Sequence, residues 1–171
     1  MSSSSPPSPP PWQAAASKAA RGHENQYRKD GATPYSAHTT RVALTLILRF
    51  GCRDEELVTA ALLHDLIEDT GADYDEIEEQ FGPRVAELVA RMSKDMRLPE
   101  SAREEAYDRQ LAEGPWEARL IKLADVYDNY CDAASDEARR KIREKIQRAL
   151  ALAEGEPRLA EAAACVRSLL D

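Results

Sequence analysis

No stretch of this sequence alternates apolar and polar residues with a period of two for the length of a strand, and no hairpin dipeptide separates two β-branched runs. Apolar residues recur instead at helical spacing, and helix start and stop signals punctuate the chain at short intervals. This confines the sequence to an all-α fold. The segment 13–25 is Ala-rich. Ser36 to Phe50 reads as one helix with Gly51 placed to end it, and the next runs from about Asp54, a suitable N-cap, to Glu68, with Gly71 just beyond. Asp73 with Glu76 has capping-box spacing and opens a short helix that stops at Gly82; Ser101 with Glu104 has the same spacing and predicts a helix reaching about Ala112. Pro83 and Pro115 suit first turns. Ser135-Asp136-Glu137 opens a long charged helix, and Gly155 with Pro157 divides it from a last amphipathic one ending near Leu170.

A length of 171 residues is that of one ordinary domain with a real core. Residues 1–11, MSSSSPPSPPP, carry no apolar side chain after Met1 and predict a disordered Ser/Pro tail ahead of a domain over 12–171. Asp and Glu outnumber Lys and Arg by 31 to 23, a net charge of −8. Such a balance argues against general affinity for a nucleic acid polymer or an anionic membrane, because both need a basic surface. The longest apolar run, Val42 to Leu48, is far below the roughly 18 residues of a spanning helix. No secretory signal is visible, and Cys52, Cys131 and Cys165 lack the spacing of a zinc knuckle or disulfide framework. A cytoplasmic protein is expected.

Three segments carry chemistry. In Leu62-Leu63-His64-Asp65-Leu66-Ile67-Glu68-Asp69-Thr70, His64 and Asp65 interrupt an apolar helix, where an uncompensated charge is costly. On a continuous helix His64 lies one turn from Glu68 and Asp65 one turn from Asp69, so an imidazole and three carboxylates share a broad face; a divalent cation relieves their repulsion. The same pattern also fits a solvated acidic helix end beside a satisfied core histidine. Asp125 falls inside a second amphipathic segment, Lys122 to Asn129, where an internal salt bridge to Lys122 or an arginine is an equal alternative; Asp128 and Asn129 are expected to face water. Arg28 and Lys29 precede the turn Asp30 to Pro34, with His38 at the start of the following helix. An Arg fork and a Lys point charge can grip a base or phosphate, although an exposed Arg-Lys pair is ordinarily just solvated. Taken together, His38, His64, Asp65 and Asp125 supply two imidazoles and two carboxylates. That set suits one six-coordinate divalent metal with two positions left for water and substrate, with Mn²⁺ or Fe²⁺ favoured over Mg²⁺.

The order H…HD…D resembles the ligand pattern of the HD-domain phosphohydrolases. The stretches His23 to Asp30, Thr33-Pro34-Tyr35, His38, Ala60 to Thr70, Phe81-Gly82, Leu98-Pro99 and Ile121 to Asp125 with Asn129 resemble the hydrolase domain of the RelA/SpoT-type alarmone enzymes, above all the small single-domain (p)ppGpp hydrolases. The resemblance covers roughly residues 13 to 133. It implies an HD-domain helical bundle that removes the 3′-pyrophosphate of ppGpp or pppGpp, giving GDP or GTP. By the same resemblance His38, His64, Asp65 and Asp125 bind Mn²⁺, Glu68 and Asp69 position and activate water, Arg28 and Lys29 line a guanosine pocket, and Asn129 lies near the sugar and 3′-pyrophosphate. His23 is expected to be structural. The sequence departs from the family at Thr39-Thr40, where a proline usually follows the histidine, at Asp128, which adds a negative charge near the expected sugar site, and at Met96, where some small hydrolases carry lysine. These departures leave open another phosphorylated nucleotide, such as NADPH or a nucleoside phosphate, and a sensor with little turnover. Oligomeric state is not legible.

Overall fold

The computed structural model describes residues 9–171. Its helices are α1 (Pro11–Gly22), α2 (Ser36–Leu48), α3 (Glu55–Leu63), α4 (Leu66–Asp69), α5 (Tyr74–Phe81), α6 (Pro83–Met92), α7 (Glu100–Glu113), α8 (Trp116–Cys131), α9 (Asp136–Ala153) and α10 (Ala160–Arg167), with a 3₁₀ turn at Pro157–Leu159. Among the described residues there is no strand, only an isolated bridge between Tyr27 and Pro34, so the all-α expectation holds. Most of the expected tail lies outside the described residues; its last residue, Pro11, opens α1.

Helix α8 is the hub. It packs against α2, α6, α7, α9 and α10, while α3 lies between α1, α2 and α6. The apolar faces of these helices meet in one core that includes Leu46, Leu57, Leu63, Leu88, Leu111, Ile121, Leu123 and Ile146. Burial of this kind, rather than helix propensity, holds short helices such as α5 in place. Among the described residues no helix is long and apolar enough to cross a membrane, and the three cysteines are free.

The local signals behave as their chemistry requires. Asp54 accepts from the amides of Glu56 and Leu57, Asp73 from Glu76, and Ser135 from Ala138. Ser101 does not cap: α7 starts two residues earlier than that cap would place it, from an extended Pro99 whose carbonyl takes the Arg103 amide at 2.8 Å. The second helix of the sequence reading is divided at His64 and Asp65 into α3 and α4.

Asp54 also ties three helices together, because Arg84 of α6 reaches its carboxylate at 2.6 Å, Glu56 at 2.7 Å and Glu117 of α8 at 3.3 Å. Asp54→Ala should lower stability by about 1 kcal/mol through loss of the cap. The Arg84 guanidinium holds the Asp54 carboxyl below its ordinary value of 3.8. A carboxyl depressed by folding stabilises above that value and loses its contribution as pH falls through the folded one. The difference between wild type and Asp54→Ala in urea unfolding should therefore be full at neutral pH and shrink well below 3.8.

Candidate active site

The break between α3 and α4 begins with one ring. His64 Nδ1 donates to the carbonyl of Ala61 at 2.8 Å, and in a regular helix that carbonyl would accept the amide of residue 65. The chain turns at this point, and α4 restarts at Leu66. The bond places a proton on Nδ1, so Nε2 is the ring nitrogen open to a ligand. His64 is 1 % exposed, and its Nε2 has no hydrogen-bond partner among the described residues.

His38 projects from the first turn of α2 and is equally buried. Its Nδ1 lies 2.7 Å from Asp128 Oδ2, and Arg41 Nε binds the other oxygen of that carboxylate at 2.6 Å. Its Nε2 faces Asp125 Oδ1 at 3.3 Å and Asp65 Oδ2 at 3.5 Å. Burial alone would lower the His38 pKa, but the hydrogen bonds of Asp125 and Asp128 overcome it and bring it up to about 9. Asp128 is therefore not the water-facing residue expected from the sequence. It is 4 % exposed and lies behind the histidine, where it orients the ring.

Asp65 lies 3.1 Å from His64 Nε2 and accepts from the Tyr35 hydroxyl at 2.7 Å. Asp125 is held by Lys122 Nζ at 2.8 Å and by the Asn129 carboxamide at 2.5 Å. The salt bridge and the facing of Asp125 toward His38 are thus both realised, one at each oxygen. Burial works against the charge of Asp125, yet Lys122 and His38 keep its pKa well below the carboxylate range. Donor atoms of His38, His64 and Asp65 lie within 4.8 Å of one another, and Asp125 joins them through His38. Two ring nitrogens with their far sides fixed, two carboxylates and a buried lone pair without a partner fit a divalent metal.

The cavity into which His38, Asp65 and Asp125 open, about 310 Å³, also contains Glu68, Asp69, Arg28, Lys29 and Asn129, so eight of the nine residues singled out from the sequence line it, and the ninth, His64, lies buried behind it against Asp65. Glu68 accepts the Lys94 amide at 2.8 Å. Burial raises both Glu68 and Asp69, with the Asp65 charge adding to the shift. Arg28 and Lys29 are placed by a closed turn. Asp30 Oδ1 takes the amides of Ala32 and Thr33, Gly31 supplies a φ of 70°, and Arg28 N donates to Thr33 O at 2.8 Å. Arg28 is then fixed by Asn129 and Asp132, each at 2.8 Å, with its guanidinium 5.5 Å from the Tyr35 ring centre. His23 contacts Gln26 at 2.8 Å and lies against Tyr35 at 4.6 Å, and its own Nε2 is also buried without a partner among the described residues.

The sequence reading missed Tyr35, Lys94, Tyr107, Lys122 and Lys145 as cavity residues. Met96 is 57 % exposed and Lys94 takes the cavity wall. Helical spacing held a signal for Asp128, three residues from Asp125 on one face, and none that separated Lys145 from the other cations of α9. Asp128→Asn should weaken binding of a divalent cation, measured by titration calorimetry, by about 10- to 100-fold while the protein still melts cooperatively. An unchanged affinity would contradict the role given to Asp128.

Residues 15–154 match the HD domain family. Over 111 residues the chain is 40% identical to the guanosine-3′,5′-bis(diphosphate) 3′-pyrophosphohydrolase MESH1 of Drosophila melanogaster, covering 64% of this chain and 62% of that protein. It is 41% identical to MESH1 of Homo sapiens over 119 residues, 69% of this chain and 66% of that one. The chain thus aligns with slightly less than two thirds of these relatives' length. A solved structure described as a metazoan ortholog of SpoT that hydrolyzes ppGpp superposes with a TM-score of 0.83 at 28% identity, over 98% of this chain and 97% of the other. With its helical bundle and its His38, His64-Asp65 and Asp125 donors, the chain belongs to the HD domain family.

Proposed function

We propose that this protein hydrolyses the 3′-pyrophosphate of guanosine 3′,5′-bis(diphosphate), ppGpp or pppGpp, to GDP or GTP and pyrophosphate, with Mn²⁺ as its metal, in the cytoplasm. The observation that carries the proposal is the buried, unpartnered Nε2 of His64 among His38, Asp65 and Asp125, at the base of a cavity that also presents Glu68 and Asp69. The names of the similar hydrolases supply the substrate.

In this reading His38, His64, Asp65 and Asp125 hold the metal, which would lower the pKa of a water and offset phosphate charge. Glu68 and Asp69 are the catalytic carboxylates. The Lys94 amide fixes one oxygen of Glu68, which orients the other toward the cavity. Burial raises the proton affinity of both carboxyls, making them better acceptors for the proton of the attacking water. As the water oxygen bonds to the phosphorus attached to the ribose, the bond to the 3′ oxygen breaks, and that oxygen leaves as a hydroxyl with the proton that the Glu68 and Asp69 carboxyls took from the water. Arg28 and Lys29 receive the guanosine; Arg28 is already held by Asn129 and Asp132 near the Tyr35 ring, so little ordering remains at binding. Asn129 lines the cavity beside the nucleotide and holds Arg28 and Asp125 at opposite ends of its carboxamide. The extra charge at Asp128 does not reach the substrate space, because it is spent on His38 and Arg41, which removes the main reason for preferring another nucleotide.

Purified protein with Mn²⁺ should release pyrophosphate from ppGpp. His64→Ala and Asp65→Ala should abolish release, and Glu68→Gln should lower kcat by about 100-fold or more. Robust turnover in either metal-site variant would contradict the assignment.

A further inference from the structure

A second group of cations lines the same cavity. Lys94 follows α6, Lys122 belongs to α8 and Lys145 to α9. They gather around Tyr107 of α7, with the ammonium of Lys94 5.1 Å and that of Lys122 5.3 Å from the ring centre. All three also border an adjoining recess of about 20 Å³. Lys94 has a partner in Glu104 at 2.6 Å, and Lys122 has one in Asp125 at 2.8 Å. The nearby carboxylates are already in use: Arg148 takes Glu104 at 3.0 Å and Asp108 at 2.7 Å. Among the described residues Lys145 has neither an ion pair nor a side-chain hydrogen bond. Lys145 is exposed at the cavity edge, and partial desolvation there, followed by repulsion from Lys122 and Lys94, lowers its pKa from the ordinary lysine value. A cation placed among like charges without a partner is stabilised by an arriving anion.

We propose that Lys94, Lys122 and Lys145 form an anion subsite in the cavity, and that Lys145 grips a diphosphate group of the bound nucleotide. The inference rests on the nucleotide reading above and adds a residue to it. The three ammonium groups and the Arg148 guanidinium face three carboxylates, Glu104, Asp108 and Asp125, which leaves one positive charge in excess. A diphosphate has enough oxygens to bridge several donors, and the flexible stem of Lys145 lets its compact charge follow the group. The subsite borders the reacting groups on two sides, since Lys122 holds Asp125 and the amide of Lys94 holds Glu68. Either diphosphate of the substrate, the one cleaved or the one retained, has the chemistry required.

Equilibrium binding of inorganic pyrophosphate, GDP and guanosine at fixed free Mn²⁺ tests this on the intact chain. Lys145→Gln should weaken pyrophosphate or GDP by about tenfold or more, Lys145→Arg should retain most of the affinity, and guanosine should be unaffected. A loss with pyrophosphate assigns Lys145 to the cleaved diphosphate, and a loss with GDP alone assigns it to the retained one. Lys141→Gln removes the same charge from an exposed position of α9, where Lys141 pairs with Glu137, and should change neither ligand. Equal binding by wild type and Lys145→Gln, an equal loss in Lys141→Gln, or no binding of either diphosphate by wild type would overturn the proposal. A protein that binds diphosphates through Lys145 yet releases no pyrophosphate from ppGpp would overturn the proposed reaction and leave the subsite standing.

Discussion

The break between α3 and α4 and the middle of α8 bring Asp65 and Asp125 into one largely buried site, and like charges brought that close in a helical interior repel strongly. The surrounding residues answer that repulsion. Lys122 and Asn129 hold Asp125, Tyr35 holds Asp65, and His38 stands between the two carboxylates. The histidines are themselves fixed from behind, one by the Ala61 carbonyl and the other by Asp128. The arrangement keeps both acids ionised and leaves one buried imidazole nitrogen without a partner. A divalent cation would satisfy both features at once.

That network explains two features of the fold. The sequence of α3 and α4 has the periodicity of one helix, but the His64 ring occupies a carbonyl that helix continuation requires, and the chain bends so that Asp65 and Glu68 reach the cavity. Helix α8 is central because three of its residues, Asp125, Asp128 and Asn129, lie on one face and serve different tasks. Asp125 faces the histidines, Asp128 supports His38, and Asn129 joins Asp125 to Arg28.

Much of this was legible in the sequence because it is local. Asp54, Asp73 and Ser135 cap helices through their own side chains, and Asp30 with Gly31 closes a turn that needs no distant partner. The cluster of His38, His64, Asp65 and Asp125 was legible because burying such groups inside apolar helices calls for compensation. What stayed hidden depended on other helices. Ser101 has capping-box spacing, but the extended Pro99 starts α7 first. Asp128 reads as a surface acid until Arg41 and His38 are placed beside it. Lys145 is one exposed charge among many on α9, and only the fold shows that it borders the cavity. The net charge of −8 likewise hides a cavity whose walls carry Arg28, Lys29 and three further lysines.

The most direct measurement is the identity of the products formed from ppGpp in ¹⁸O-labelled water with Mn²⁺ present. Attack at the phosphorus attached to the ribose predicts GDP without label and pyrophosphate carrying one ¹⁸O. Release of inorganic phosphate, label retained in the nucleotide, or no product at all would contradict the account.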